Sequence, residues 1–255
     1  MIMSQVITIA NQKGGVAKTT TCVALAAGLK NKGKHVLAVD IDQQANLTDT
    51  FNVDLSESEP TIYEVLKREA NINDVIKSTV ICDIVPANIL LAGAELELNA
   101  TGKEYRLKEA LAKLNKTYDY IIIDTPPSLG VLTVNAFTAC DRILIPTTAG
   151  AYAVKGIVQL KETIEVTRLY TNPTIGIDGI LLTRYNPRTV ISQDIKELTN
   201  QIAGELHAKM YKTHIRNAIA IEESQAFHRD IFTHAKTSAV ADDYAKFVEE
   251  FLERD

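Results

Sequence analysis

The stretch that decides the fold is 6-VITIANQKGGVAKTTTCVAL-25. It begins with an apolar run typical of a short strand, residues 6–10, and ends in a pattern that predicts a helix over residues 19–32. A glycine turn between a strand and a helix directs several backbone N–H groups at one point, where the helix N-terminus adds positive charge. The stretch therefore predicts a phosphate-binding loop, with Lys13 and Lys18 at its two ends.

The composition is that of a globular protein. The chain has 255 residues, of which 46% are apolar, so it is long enough for one α/β domain or two small ones. Its apolar runs are far shorter than the ~20 residues that span a bilayer, and the N-terminus MIMSQ does not resemble a signal peptide. The cysteines, Cys22, Cys82 and Cys140, form no CxxC pair. They predict reduced, buried thiols in a cytoplasmic protein.

The charge is unevenly distributed. The net charge of -5 argues against a nucleic-acid partner if it is taken alone. Residues 207–236, however, carry five lysines and arginines, three acidic residues and four of the five histidines. This window is either an ordinary mixed surface or a weak polyanion-binding face, and the sequence leaves both interpretations open.

Strand and helix patterns alternate along the chain. Strands are predicted at 35–40, 81–85, 120–124, 142–147 and 177–182; helices at 61–69, near 73–78, at 94–115 with a break near 101–102, and at 131–139, 154–170, 191–208 and 239–253. Apolar strands that alternate with helices predict an α/β fold, with a mostly parallel twisted sheet covered by helices on both faces. Without a repeat or a long linker, residues 1–255 form one predicted domain. Ligands of such sheets bind at the carboxyl ends of the strands, where Asn11, Asp40, Asp124 and Thr147 fall.

The loop itself, 13-KGGVAKTT-20, departs from the usual pattern G-x-x-x-x-G-K-[ST], because Gln12 and Ala17 replace its glycines. It resembles instead the deviant Walker A motif, KGGxxK[ST], of the ParA/MinD family of P-loop ATPases. The resemblance implies a P-loop NTPase fold that binds ATP or ADP with Mg²⁺. The Cβ of Ala17 would crowd a loop that favours positive φ, so we expect negative φ or mild strain there.

The resemblance also implies a role for each loop residue. The backbone amides of residues 15–19 would cradle the β-phosphate, and Lys18 would bridge the β- and γ-phosphates. The Thr19 hydroxyl would ligate Mg²⁺, and Thr20 would reach the α-phosphate. The residues that surround the nucleotide in this interpretation are Lys13, Gly14, Gly15, Val16, Ala17, Lys18, Thr19 and Thr20.

The leading lysine implies a dimer. In this family it reaches across a dimer interface to the partner's nucleotide and plays the part of an arginine finger. Two lysines beside an empty loop would repel each other, whereas two that share a nucleotide with about four negative charges would not. We therefore expect an ATP-dependent homodimer in which Lys13 is catalytic; action of Lys13 within its own subunit stays open.

Carboxylates complete the predicted site. The segment 36-VLAVDIDQQ-44 resembles the family's VDxDPQ, with Gln43 in place of proline. By that match Asp42 would position or activate the attacking water, and Asp40 would lie near the water shell of Mg²⁺. Asp124 ends 120-YIIID-124 and resembles a Walker B carboxylate, which binds Mg²⁺ through water. Because a carboxylate is a weak base, we expect slow hydrolysis.

Further residues fall where relatives contact the phosphates or the base. They are Asn11, Thr183, Arg184, Arg216 and Asn217. The segments 180-ILLTRYNPRT-189 and 227-FHRDIFTHAKTSAVADDYAKF-247 resemble the Soj/ParA partition branch of the family. The chain ends in 242-DDYAKFVEEFLERD-255, which is amphipathic but acidic. It differs from the basic membrane-binding helix of MinD, so we expect it to pack on the core and expect no membrane partner.

The resemblance is to the short ParA type, which has no helix-turn-helix segment before the P-loop. It implies sequence-independent DNA binding by the dimer, with a location on the nucleoid, and a ParB-like centromere-binding partner that stimulates hydrolysis. The candidate DNA contacts are Arg188, Lys209, Lys212, Arg216 and Arg229. Two other functions stay open: a positioning ATPase with a protein cargo, and a metabolic ATP-dependent ligase.

Overall fold

The computed structural model describes residues 4–56, 58–149, 153–187 and 190–254. Within these ranges eight strands form one sheet in the order β3-β4-β2-β5-β1-β6-β7-β8. Every neighbouring pair is parallel except β3 and β4. The strands are β1 (Gln5–Ile9), β2 (Val36–Asp40), β3 (Lys77–Ser78), β4 (Asp83–Val85), β5 (Tyr120–Asp124), β6 (Arg142–Thr148), β7 (Gly176–Tyr185) and β8 (Met210–Arg216).

Helices connect the strands. They are α1 (Lys18–Asn31), α2 (Asn46–Thr50), α3 (Ile62–Lys67), α4 (Ile72–Val75), α5 (Ala94–Glu97), α6 (Arg106–Leu111), α7 (Val131–Ala139), α8 (Ala153–Tyr170), α9 (Val190–Glu205), α10 (Ile219–Ala226), α11 (Ile231–His234) and α12 (Ala239–Leu252). Two 3₁₀ helices lie at Ile89–Gly93 and Lys103–Tyr105. None of the helices in the described ranges is both long enough and apolar enough to cross a bilayer.

The core has two layers, one on each face of the sheet. Side chains of β5 alternate between them: Ile121 and Ile123 belong to one apolar cluster, and Tyr120 and Ile122 to the other. Such alternation follows from the two-residue period of a strand. Because both faces are buried, the central strands are apolar throughout, and the predicted α/β fold with helices on both faces is confirmed.

Helix α12 lies against α1, as expected for the acidic C-terminal segment. Its apolar face is buried, with Tyr244, Phe247 and Phe251 within the core. The two helices approach closely at Gly28, where a Cβ would lie 2.5 Å from Val248 Cγ2. Even an alanine at position 28 would therefore force a shift of Val248 or of one of the helices, and the C-terminal helix is part of the packed fold.

The same helix covers the outer edge of β8. The backbone N–H groups of Lys212 and Thr213 donate to the two carboxylate oxygens of Glu250 at 2.8 and 2.9 Å. The N–H of Arg216 donates to Asp243 Oδ2 at 3.1 Å. These contacts satisfy donors that an edge strand would otherwise leave unpaired.

Several predicted elements were wrong in part. Strand β8 and helix α10 were missed, because β8 is half exposed and its sequence MYKTHIR contains polar residues. The helix predicted over 94–115 is two short helices and a 3₁₀ helix, and the break coincides with Gly102 at a φ of 77°. The helix predicted near 73–78 is α4 followed by β3.

Candidate nucleotide-binding site

The loop between β1 and α1 has the backbone of a phosphate cradle. Gly15 has a φ of 73°, which glycine adopts without steric cost. Ala17 has a φ of 63° and precedes the first residue of α1, so the positive φ favoured at this position is kept despite its Cβ. A left-handed alanine costs roughly 1–2 kcal/mol. Of the two expected outcomes at Ala17, negative φ was therefore wrong and mild backbone strain is the one observed.

Two residues that were predicted to contact the nucleotide lie behind this loop and support it. Asn11 is buried; its amide donates to the Pro146 carbonyl at 2.8 Å, and its Oδ1 accepts from Lys13 N at 3.0 Å. The Thr183 hydroxyl is within hydrogen-bonding distance of the carbonyls of Val16 and Thr147, at 3.1 and 3.2 Å. Strands β6 and β7 therefore hold the loop in shape. Direct contact of these two side chains with a nucleotide stays a prediction.

A cavity of about 480 Å³ opens in front of the loop. It unites residues distant in sequence: Gly14, Gly15, Ala17, Lys18, Thr19, Thr20, Asp42, Gln44, Asn46, Asp49, Thr50, Pro127, Gln225 and Ala226. Lys18 is 7% exposed, and burial lowers the pKa of its ammonium although Asp124 and Asp42 act in the opposite direction. A buried cation at a helix N-terminus is suited to the oxygens of a polyphosphate.

The two carboxylates that end β2 and β5 face each other across paired strands, Asp40 opposite Asp124. Both are fully buried. Burial, together with repulsion from Asp40, raises the pKa of Asp124 to about 8. Burial also raises the pKa of Asp40 to about 6, against the hydrogen bonds that Asp40 accepts. Two buried carboxyls at the ends of paired strands favour a cation beside them.

The surroundings of Asp124 fit Mg²⁺. Its Oδ2 accepts a hydrogen bond from the Thr19 hydroxyl at 2.6 Å, whereas its Oδ1 is buried and has no hydrogen-bond partner. The unpaired carboxylate oxygen of Asp124 and the nearby Thr19 hydroxyl are both hard oxygen ligands, the type that Mg²⁺ prefers. The described residues hold no group of three His, Cys, Asp or Glu side chains placed for a metal ion. Mg²⁺ commonly binds with few protein carboxylates, and water and phosphate oxygens complete its shell.

Asp40 is more constrained. Its Oδ2 accepts from the amide and hydroxyl of Thr48 at 2.9 and 2.8 Å, and its Oδ1 accepts from Asp42 N at 3.1 Å. Asp40 therefore ties the loop after β2 to α2. Asp42 is 6% exposed, lines the cavity and accepts from Gln44 N at 3.0 Å. A carboxylate held at the cavity wall can bind a water molecule there.

The remaining predicted contacts do not line the loop cavity. Arg216 and Asn217 line a different cavity of about 680 Å³, together with Tyr185 and Lys212. The Arg216 guanidinium forms a bidentate pair with Asp243, with distances of 2.6 and 2.8 Å. Arg184 is exposed and has a φ of 49°; its Nη1 lies 3.5 Å from the Gly15 carbonyl. The structure thus places the loop and the segment after β8 in separate cavities.

Three of the candidate DNA contacts are on or directly beside the edge strand β8. Lys212 and Arg216 belong to β8, Lys209 directly precedes it, and Arg229 lies between α10 and α11; all four are exposed. Arg188 lies outside the described residues. The charge of Arg216 is partly neutralised by Asp243, which sequence reasoning did not anticipate.

Sequence reasoning also missed the far wall of the loop cavity. Gln225 and Ala226 of α10, together with Asp49 of α2, line it. No local pattern marks these positions, because the contacts between α10 and the loop are made only when the sheet forms.

A mostly parallel sheet, a glycine loop with a buried lysine, and carboxylates at the adjoining strand ends define a P-loop nucleotide-binding protein. The family model of the AAA domain matches residues 4–177. Sporulation initiation inhibitor protein Soj of Bacillus subtilis is 40% identical over 251 residues, which cover 97% of this chain and 98% of that protein. Chromosome partitioning protein ParA of Myxococcus xanthus is 36% identical over 256 residues, 99% of this chain and 89% of that protein. The chain therefore belongs to the ParA/Soj family of P-loop ATPases.

A solved structure agrees in fold. Cobyrinic acid a,c-diamide synthase of Mycobacterium smegmatis, crystallised with bound ADP and magnesium, has a TM-score of 0.84 and 35% sequence identity. The match covers 98% of this chain and 95% of that chain. A protein of the same fold thus binds a nucleotide together with Mg²⁺.

Proposed function

We propose that this protein is a Mg²⁺-dependent ATPase that forms an ATP-bound sandwich dimer and takes part in DNA partition. The dimer binds DNA without sequence preference, and a ParB-like centromere-binding partner stimulates hydrolysis and releases it. The name of the Myxococcus xanthus relative, chromosome partitioning protein ParA, supports partition, and the solved structure with ADP and magnesium supports the cofactors.

The main structural support for the proposed dimer is the different placement of the two loop lysines. Lys18 is buried and lines the cavity, as a residue that binds its own subunit's nucleotide should. Lys13 is not among the lining residues, and its ammonium lies 3.4 Å from the Thr148 hydroxyl. In the described residues no carboxylate forms an ion pair with it. This lysine is thus available to a nucleotide bound by a second copy.

The dimer is tested by sedimentation with Mg²⁺ and a non-hydrolysable ATP analogue. The wild-type protein should sediment as a dimer, and Lys13→Ala should remain a monomer that still binds ADP. Lys108→Ala removes an exposed lysine of α6 and serves as the matched control. Normal dimerisation of Lys13→Ala would remove the proposed function of Lys13 across the interface.

Slow hydrolysis follows from the chemistry of Asp42. The carboxylate lines the cavity wall, where it can orient a water molecule toward the γ-phosphate. Because carboxylates are weak bases in general, its contribution is mainly to positioning. A partner that fixes the water or the dimer more firmly would therefore raise the rate.

DNA binding rests on the exposed basic residues around β8. Dimerisation doubles this patch, and phosphate contacts give an affinity that falls steeply with salt. Lys212→Glu should weaken DNA binding by the ATP-bound dimer and reduce the salt dependence, while ATP affinity stays unchanged. Lys108→Glu makes the same charge change on α6. Equal DNA affinity of wild type and Lys212→Glu would exclude Lys212 from the patch.

The proposed location is the cytoplasm, on the nucleoid.

One observation favours a second candidate function, a metabolic ATP-dependent ligase. The solved structure that shares 35% identity with this chain is named a diamide synthase. The two functions separate in one ATPase assay. Hydrolysis that rises with DNA and a ParB-like protein supports partition, whereas turnover that requires a small-molecule carboxylate supports a ligase. A protein-cargo positioning ATPase would respond to DNA and to its cargo's adaptor, and not to a centromere complex.

A further inference from the structure

Helix α10 forms a wall of the nucleotide cavity that belongs to none of the sequence motifs. Gln225 and Ala226, at its C-terminal end, line the cavity together with residues of the glycine loop. Gln225 is half-buried and lines this cavity with its side-chain amide as its polar group. A neutral amide offers both donor and acceptor groups, which is suitable for a polar ligand.

This amide contacts the start of α1. Gln225 Nε2 donates to the Thr20 hydroxyl oxygen at 3.2 Å, across 205 positions of sequence. No other hydrogen bond joins the Gln225 side chain to the described residues. Thr20 is the loop residue expected to contact the α-phosphate. The amide is therefore beside the α-phosphate position, with one N–H and its oxygen unused.

The end of α10 that carries Gln225 is held in place by the surrounding structure. After α10 the chain turns back, with Arg229 N donating to the Ser224 carbonyl at 2.9 Å. The His228 ring nitrogen Nδ1 lies 2.7 Å from the Asp49 carbonyl oxygen, which connects the turn to α2. Ile231 is buried in the core that contains α1. The cavity walls formed by α2 and by α10 are thus connected, and Gln225 lies on a packed helix.

We propose that Gln225 is a nucleotide-contacting residue whose amide N–H donates a hydrogen bond to a non-bridging oxygen of the α-phosphate, next to Thr20. The inference rests on the proposed nucleotide site. The hydrogen bond to Thr20 holds the amide in place before the nucleotide arrives, so little side-chain ordering remains to be done on binding. A neutral donor also adds no charge to a site that already contains Lys18.

The first test is ADP affinity in the presence of Mg²⁺, measured by calorimetry on the full chain. Gln225→Ala should weaken binding about tenfold, as expected for loss of a hydrogen bond to a charged group. Gln225→Glu should weaken it further, because its carboxylate would face the phosphates. Gln201→Glu, an exposed position on α9, makes the same change far from the cavity and should bind ADP as the wild type does.

The second test distinguishes contact from a structural role. Each diastereomer of ADPαS, in which sulfur replaces one α-phosphate oxygen, is compared with ADP on wild type and on Gln225→Ala. Contact predicts that the penalty for one diastereomer is smaller in the variant, since two changes to one interaction are not additive. Unchanged ADP affinity in Gln225→Ala, or equal penalties in both proteins for both diastereomers, would overturn the proposal. A wild-type protein that binds no ADP would instead refute the nucleotide site itself.

Discussion

Replacing Asp124 with asparagine should make the free energy of unfolding of the nucleotide-free protein less dependent on pH. Burial and repulsion from Asp40 raise the pKa of Asp124 to about 8, whereas the pKa of an aspartate in the unfolded chain is about 3.9. Between these values the folded state holds a proton that the unfolded state has released. The free energy of unfolding therefore falls as the pH rises through this window, by at most about 1.4 kcal/mol per pH unit. From pH 6 to pH 8 the expected loss is about 2 kcal/mol.

The assay is urea unfolding at pH 6, 7 and 8, with EDTA and without nucleotide. Asparagine can still accept the hydrogen bond of the Thr19 hydroxyl but has no proton to release, so Asp124→Asn should lose about 2 kcal/mol less than wild type over this range. Asp54→Asn, which replaces an exposed carboxylate, should follow the wild type. Parallel pH profiles for wild type and Asp124→Asn would show that Asp124 is already ionised in the nucleotide-free protein, and would refute its raised pKa.

Three further predictions concern the site and the fold. Lys18→Ala should lower ATP affinity at least about 100-fold, because it removes the buried cation of the cavity; calorimetry checks this, and wild-type affinity would contradict the loop assignment. Asp42→Ala should accumulate as an ATP-bound dimer in gel filtration with hydrolysable ATP, and rapid phosphate release by this variant would exclude Asp42 from positioning water. Gly28→Ala should lower the free energy of unfolding by about 1–3 kcal/mol through its clash with Val248, and added Val248→Ala should restore part of it; no loss in Gly28→Ala would mean that the helices move apart at no cost.

The central strands and helices were predictable from the sequence because their burial is nearly uniform. β5 and α7 have the predicted bounds, Tyr120–Asp124 and Val131–Ala139. The first is a continuous apolar run closed by a charge, and Pro126-Pro127 separates it from the helix. Strand β8 was missed because an edge strand exposes alternate residues and carries charges that resemble those of a loop.

The same distinction applies to the site. Lys18 and Thr19 follow from the motif, because a short loop fixes their geometry locally, and the contact of Thr19 with Asp124 confirms that the two motifs meet. The positions of Asn11 and Thr183 behind the loop were not predictable, since they depend on the register of neighbouring strands. Gln225 could not be found from the sequence, because its link to the loop is a tertiary contact.

The carboxylates of Glu250 and Asp243 have a consequence for how copies of this chain can assemble. By accepting the outward-facing amide hydrogens of β8, they leave few backbone donors there for a strand of another molecule to use. These contacts disfavour polymerisation by continuous sheet extension at this edge. A filament of this protein would then be built mainly from side-chain surfaces. Replacing Glu250 and Asp243 with residues that cannot accept these hydrogen bonds would be the change expected to promote strand-to-strand association of copies at β8.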